Sequence, residues 1–206
     1  MFIKLNNSGP ARFMYSVIAI GILVSVICFT MYYGQKTDSK IVLGTGIVAV
    51  VIVYHFWVRI IMGNVSKLFR KHINYKQWWF KEHRFEKGLY KILRVKKWKD
   101  KTFTYNPGDF DLKNKSLEEI ANIMAKSEVD HWINELISVC SILFTLIWPD
   151  FLIALVVSAI CAMIFDSQFI IMQRYNRPRI LKALEHQNRH SKNESKEDNN
   201  TDEAGE

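Results

Sequence analysis

The chain has 206 residues, 49% of them hydrophobic, with 28 Lys plus Arg against 20 Asp plus Glu and a formal net charge of +8. The apolar residues are gathered into uncharged runs, which excludes an ordinary soluble domain. The basic residues lie between those runs, so membrane lipids with anionic headgroups are the expected partner and nucleic acid is not.

From Phe13 to Tyr33 run 21 residues without a charge, and from Ile41 to Val58 a further 18. Each meets the length needed to cross a hydrocarbon core of about 30 Å at about 1.5 Å per residue. The first run exceeds the apolar core of a cleavable signal peptide, and no small-x-small site follows it, so it reads as a permanent anchor. Residues 1–62 are therefore expected to form a membrane anchor of two transmembrane helices. Cys28, Cys140 and Cys161 all fall inside apolar segments, where no disulfide framework or zinc spacing is visible.

Between Gly63 and Ile133 there are 16 Lys plus Arg against 9 Asp plus Glu. That excess marks the region as cytoplasmic by the positive-inside rule. Phe69, Trp78, Trp79, Phe80, Phe85, Tyr90 and Trp98 are interleaved with the cations. Such a mixture suits amphipathic helices in the headgroup layer, rings down and ammonium groups snorkelling. Tyr105 to Phe110 reads as a turn around Pro107-Gly108. Asp111 to Ile137 then reads as a helix, with Ser116 and Glu119 spaced as a capping box.

Leu136 to Gln173 is apolar apart from Asp150 and Asp166. Pro149, flanked by Trp148 and Asp150, breaks it into two expected spans, about 132–148 and 151–173. The first, 17 residues or about 25 Å, would require some local thinning of the bilayer. From His186 the chain is polar and cannot bury a core, so 186–206 is expected to be disordered. The expectation is an all-α membrane protein of about four transmembrane helices with interfacial helices in a basic cytoplasmic loop. It is multi-pass in the cell membrane, with both termini cytoplasmic.

Glu128, His131 and Glu135 share one helical face. An imidazole beside a carboxylate can serve as a general base, with Glu128 orienting His131; a structural contact near an interface is the competing reading. Asp166 is an ionisable group inside an apolar span, which points to function by default. It lies two turns before Gln173, on one polar seam, although an interhelical hydrogen bond would also explain it. Glu-x-x-His supplies half of a carboxylate di-iron site, but no second copy exists, so no metal site is expected. There is no Gly-x-Ser-x-Gly, no P-loop and no dinucleotide glycine pattern.

Three blocks in order, Phe85–Lys101, "EVDHW" (Glu128–Trp132) and "QRYNRPR" (Gln173–Arg179), resemble the glycosyl-4,4'-diaponeurosporenoate acyltransferase family. The similarity runs from about Phe80 to Leu184, so 63–185 is expected to be the acyltransferase-like region. The matching positions are Trp98, Lys99, Glu128, His131, Trp132, Gln173, Arg174, Tyr175, Asn176, Arg177 and Arg179. The chain departs from the family pattern at Ile123, Lys126 and Asp166-Ser167-Gln168.

The resemblance implies transfer of a fatty acyl group to a sugar hydroxyl on a membrane-embedded lipid. His131 would be the base and Glu128 its helper. Gln173 and Asp166 would line the substrate seam with Trp98, and Asn176 or Tyr175 would donate to the oxyanion. Arg174, Arg177 and Arg179, with Lys96, Lys97 and Lys99, would hold the phosphates of acyl-CoA or an acyl carrier protein, with no resident cofactor. Two other classes compete with this reading. One is a non-enzymatic membrane scaffold acting through its basic collar; the other is a transporter, disfavoured because only His55 and Asp166 are ionisable within the spans.

Overall fold

Glycines let the first two helices pack closely. The computed structural model describes residues 9–102 and 107–203. In it α1 (Gly9–Tyr33) and α2 (Lys40–Phe69) form an antiparallel hairpin. A Cβ at Gly21 would lie 2.5 Å from Val53 Cγ2, and one at Gly46 would lie 2.9 Å from Phe29 Cε1 and 3.0 Å from Cys28 Cβ. Small residues let the backbones approach where lipid tails give no hydrophobic drive between helices. The turn is closed by the amides of Gly34, Gln35 and Lys36, which donate to the carbonyls of Thr30, Tyr32 and Met31. Gln35 takes the left-handed conformation (φ 56°) that this reversal needs.

Next come short elements: single 3-10 turns at Arg70–His72 and Trp78–Phe80, α3 (Glu86–Ile92), α4 (Val95–Trp98) and a turn at Lys99–Lys101. Arg94, at φ 51°, separates α3 from α4. Trp78, Phe85 and Ile92 are exposed here beside exposed Lys81, Arg84, Lys87 and Lys91. Of the turn expected at Tyr105–Phe110, Tyr105 and Asn106 lie outside the described residues, and Pro107–Phe110 is a 3-10 turn.

The capping box at Ser116 forms as its spacing implies. Ser116 Oγ accepts from the Glu119 amide at 3.2 Å, and Glu119 Oε2 accepts from the Ser116 amide at 2.8 Å. It starts α5 (Leu117–Val139), which tightens into a 3-10 stretch at Cys140–Leu146. The chain reverses at Trp148 and Pro149, and α6 (Leu152–Glu203) returns antiparallel to α5.

The helix expected from Asp111 and the span expected from about 132 are one continuous element, because nothing between Leu117 and Val139 breaks a helix. One expectation needs correction. The polar tail from His186, expected to be disordered, continues α6 as helix to Glu203. No Gly or Pro follows Pro178 before that point, and Glu185 pairs with Arg189 one turn on at 2.5 Å.

Four helical segments are long and apolar enough to cross a membrane: Ala11–Tyr33, Lys40–Ser66, Leu117–Leu146 and Pro149–Asn193. Among the described residues there is no strand. At the end near the Pro149 turn, Leu43, Ile47, Val51 and Leu155 form an apolar core ringed by Phe29, Tyr32, Phe144, Trp148 and Phe151. The opposite end, where α2, α5 and α6 meet the loop, is polar inside.

Enlarging Gly46 should part α1 from α2. Gly46→Leu is expected to cost about 1–3 kcal/mol through overpacking, read as a lower thermal midpoint in detergent. Gly63→Ala, where a Cβ meets nothing within 4 Å, should leave the midpoint unchanged or slightly raised.

Candidate functional site

Two buried carboxylates organise the polar end. Asp166 in α6 is completely inaccessible, and its two oxygens serve different partners. Oδ1 lies 2.8 Å from Nδ1 of His131 on α5, and Oδ2 accepts from Nη2 of Arg59 on α2. An ionised carboxylate can only accept, so it holds a neutral imidazole in the tautomer with the proton on Nδ1 and the lone pair on Nε2. Phe169 stacks on the imidazole, with centroids 4.5 Å apart and planes within 5°. The ring is therefore fixed in tautomer and in plane, yet the side chain remains 18% exposed. One turn beyond His131 on α5, Glu135 Oε1 accepts from Ser167, the residue after Asp166.

The second centre is Glu128 on α5, also fully buried. Arg174 Nη1 donates to Oε1 at 2.5 Å, and Arg177 Nη2 donates to Oε2. Both arginines reach on to the loop. Arg174 Nε donates to Glu86 Oε1 at 2.8 Å, and its Nη atoms donate to the Trp79 and Lys81 carbonyls. Arg177 Nη1 donates to the Phe80 carbonyl at 3.0 Å, and its guanidinium lies over the Phe80 ring. Tyr90 completes the knot by donating to Glu86 Oε2 at 2.8 Å. Burial, and then the Glu86 carboxylate, push the Tyr90 phenol well above its ordinary value, so it stays a neutral donor.

The structure thus sorts the residues singled out in the sequence. His131 and Asp166 come together, and Gln173 lies on the same seam, where its Nε2 donates to Ser127 Oγ at 3.3 Å. Glu128 is not the partner of His131. It shares the helical face, but two guanidiniums from α6 occupy both its oxygens, and the imidazole turns to Asp166. Arg174 and Arg177 are engaged inside the protein, whereas Arg179 is exposed and packs over the Tyr175 ring at 3.7 Å. Tyr175 meets Tyr90 edge-on at 5.2 Å, and Asn176 is half-buried one residue on. Lys97 is exposed on α4, which packs against α6. Trp98 Nε1 donates to the Leu93 carbonyl at 2.9 Å, and Lys99 pairs with Asp100. Trp132 is partly exposed beside His131, edge-on to Trp79. Among the described residues no three His, Cys, Asp or Glu side chains gather as metal ligands.

Sequence reasoning missed Arg59, Glu86, Tyr90 and Phe169. Arg59 had one signal: it is the first charge after the 18-residue apolar run.

A helical bundle with a tautomer-locked, partly exposed histidine among aromatic and basic side chains suits group transfer to or from a lipid-soluble molecule. The family model of glycosyl-4,4'-diaponeurosporenoate acyltransferases matches residues 76–186, more than half of the chain, and the chain belongs to that family. It is an acyltransferase of carotenoid biosynthesis. No curated protein and no solved structure is a significant match. The matched segment holds both carboxylate centres and their partners, apart from Arg59.

Arg177→Met should leave Glu128 short of one cation and is expected to cost about 3–5 kcal/mol, as for other broken buried pairs. Arg179→Met, at an exposed position, should stay within about 0.5 kcal/mol. Thermal unfolding of the two variants side by side checks this.

Proposed function

We propose that the protein transfers a fatty acyl group to a sugar hydroxyl of a membrane glycolipid such as a glycosylated carotenoid, with His131 as general base. The observation that carries this reading is the 2.8 Å contact between His131 Nδ1 and the buried Asp166 carboxylate. It supports a base at Nε2, the nitrogen that carries no hydrogen bond among the described residues.

In the proposed reaction Nε2 takes the proton of the sugar hydroxyl as its oxygen attacks the thioester carbonyl of the acyl donor. The carbon–oxygen bond forms, the carbonyl oxygen becomes an oxyanion, and Asn176 or Tyr175 donates to it. The carbon–sulfur bond then breaks, and the imidazolium returns its proton to the departing thiolate. An ester and a free thiol result, and the base is regenerated. Asp166 holds the ring and faces the transient imidazolium charge.

The donor is acyl-CoA or an acyl carrier protein. Arg179, Lys96 and Lys97 are exposed cations suited to its phosphates, with Lys99 close by. Arg174, Arg177 and Glu128 shape the floor beneath them. The setting is the cell membrane, with four spans and with both termini and the basic loop cytoplasmic. The Lys and Arg excess of the loop supports that orientation, and its exposed Trp78, Phe85 and Ile92 suit anionic headgroups as partner.

His131→Ala is expected to lower kcat by about 10²–10⁴-fold, the usual contribution of a general base, while the protein still inserts and purifies normally. Mass spectrometry of acylated glycolipid, formed by purified protein in lipid nanodiscs, reads the outcome. Undiminished turnover would remove His131 from the base role.

A further inference from the structure

We infer that Arg59 is a positioning residue for acyl transfer, holding the Asp166–His131 pair from a helix outside the family-matched segment. The inference rests on the reading of His131 as base. The two N-terminal helices are then more than an anchor, because one of them completes the site.

The geometry argues this step by step. A carboxylate inside an apolar helix bundle is costly unless a charge and hydrogen bonds compensate it. His131 alone does not compensate Asp166, since a neutral imidazole donates one hydrogen bond and no charge. Arg59 supplies the missing cation and is itself largely buried, with 11% of its side chain exposed. Its fork is aimed by two further bonds. Nη1 donates to the His55 carbonyl at 2.7 Å, and Nη2 donates to the Ala162 carbonyl at 3.2 Å as well as to Asp166. The guanidinium also lies over the Phe165 ring, 5.3 Å from its centroid. The first bond fixes the fork on α2, and the Ala162 and Phe165 contacts tie it to the turn of α6 that precedes the carboxylate.

The consequence falls on Asp166 atom by atom. With Arg59 on Oδ2, the remaining oxygen Oδ1 is turned to Nδ1 of His131. Without the guanidinium, the carboxylate is free to rotate, placing both oxygens in competition for one imidazole N–H and releasing the ring from a single orientation. A ring free to take the tautomer with its proton on Nε2 has no base facing the substrate. Arg59 touches no reacting atom in this scheme; it acts through Asp166. Lysine would keep the charge, but it has no planar fork to span Asp166 and two backbone carbonyls at once.

The test compares Arg59→Met, Arg59→Lys, Asp166→Asn and the double variant Arg59→Met/Asp166→Asn in nanodiscs. Steady-state kinetics are read beside ¹⁵N NMR of labelled histidines, with the His131 signals assigned by their absence in His131→Ala. The expected result is a kcat about 10–100-fold lower in Arg59→Met, the usual effect of losing a group that orients a functional histidine, with KM unchanged. Arg59→Lys should recover part of that loss. The double variant should be no slower than Asp166→Asn, because both substitutions cut the same connection. The NMR spectrum should pass from a single Nδ1–H tautomer to a mixture or to Nε2–H.

Wild-type kcat and tautomer in Arg59→Met would overturn the inference. So would a raised KM with unchanged kcat, the mark of a substrate contact, or losses that multiply in the double variant. Should Arg59→Met fail to insert, Arg59→Lys and the charge-balanced double variant give the same decision. If His131→Ala kept its activity, the base reading would fail by itself, and the tautomer spectra would still decide whether Arg59 governs His131.

Discussion

Everything at the polar end of this bundle follows from one constraint: a carboxylate placed inside an apolar helix must be compensated from other helices. Asp166 draws Arg59 from α2 and His131 from α5, so three spans meet at a single side chain. The same logic operates at Glu128, where both oxygens are claimed by arginines that also bind carbonyls of the loop. One centre joins helix to helix, and the other joins the loop to the helices. Beside them stand two further polar pairs across α5 and α6, Glu135 with Ser167 and Ser127 with Gln173.

This division of labour explains why so few of the conspicuous cations are free. The arginine-rich block after the last apolar run looks like a surface made for phosphate, but its inner members are fully employed. Arg177 is 1% exposed. Of that block's arginines only Arg179 faces outward, and the outward-facing cations of the preceding loop, among them Lys81, Arg84, Lys87, Lys91, Lys96 and Lys97, belong to other elements.

What could be read from the sequence was whatever depends on near neighbours. The capping box at Ser116, the break at Pro149 and the apolar runs are local, and each formed. So was the suspicion that Asp166 in a span must have a purpose. What stayed hidden depends on partners far along the chain. Glu128 sits three residues before His131, and spacing alone suggested that they pair. The decision was made instead by guanidiniums 46 and 49 residues away. Arg59 pairs with a residue 107 positions distant, which no window of sequence reveals. The tail misled for a different reason: low hydrophobicity rules out a core, but it does not forbid a helix that merely continues one already nucleated.

The tightened stretch at Cys140–Leu146 acts as a ruler. Seven residues at about 2.0 Å each reach about 14 Å, and the eight steps from His131 to Val139 add about 12 Å at the ordinary helical rise. The imidazole therefore lies about 26 Å from the far end of its span, measured along the axis. Against a hydrocarbon layer of about 30 Å, that depth is close to the opposite boundary, where headgroups begin. For the acyl transfer proposed above, a lipid with its tail in the bilayer would bring its sugar to this level without being lifted out, and a water-soluble thioester would need to descend only a few ångströms to meet it.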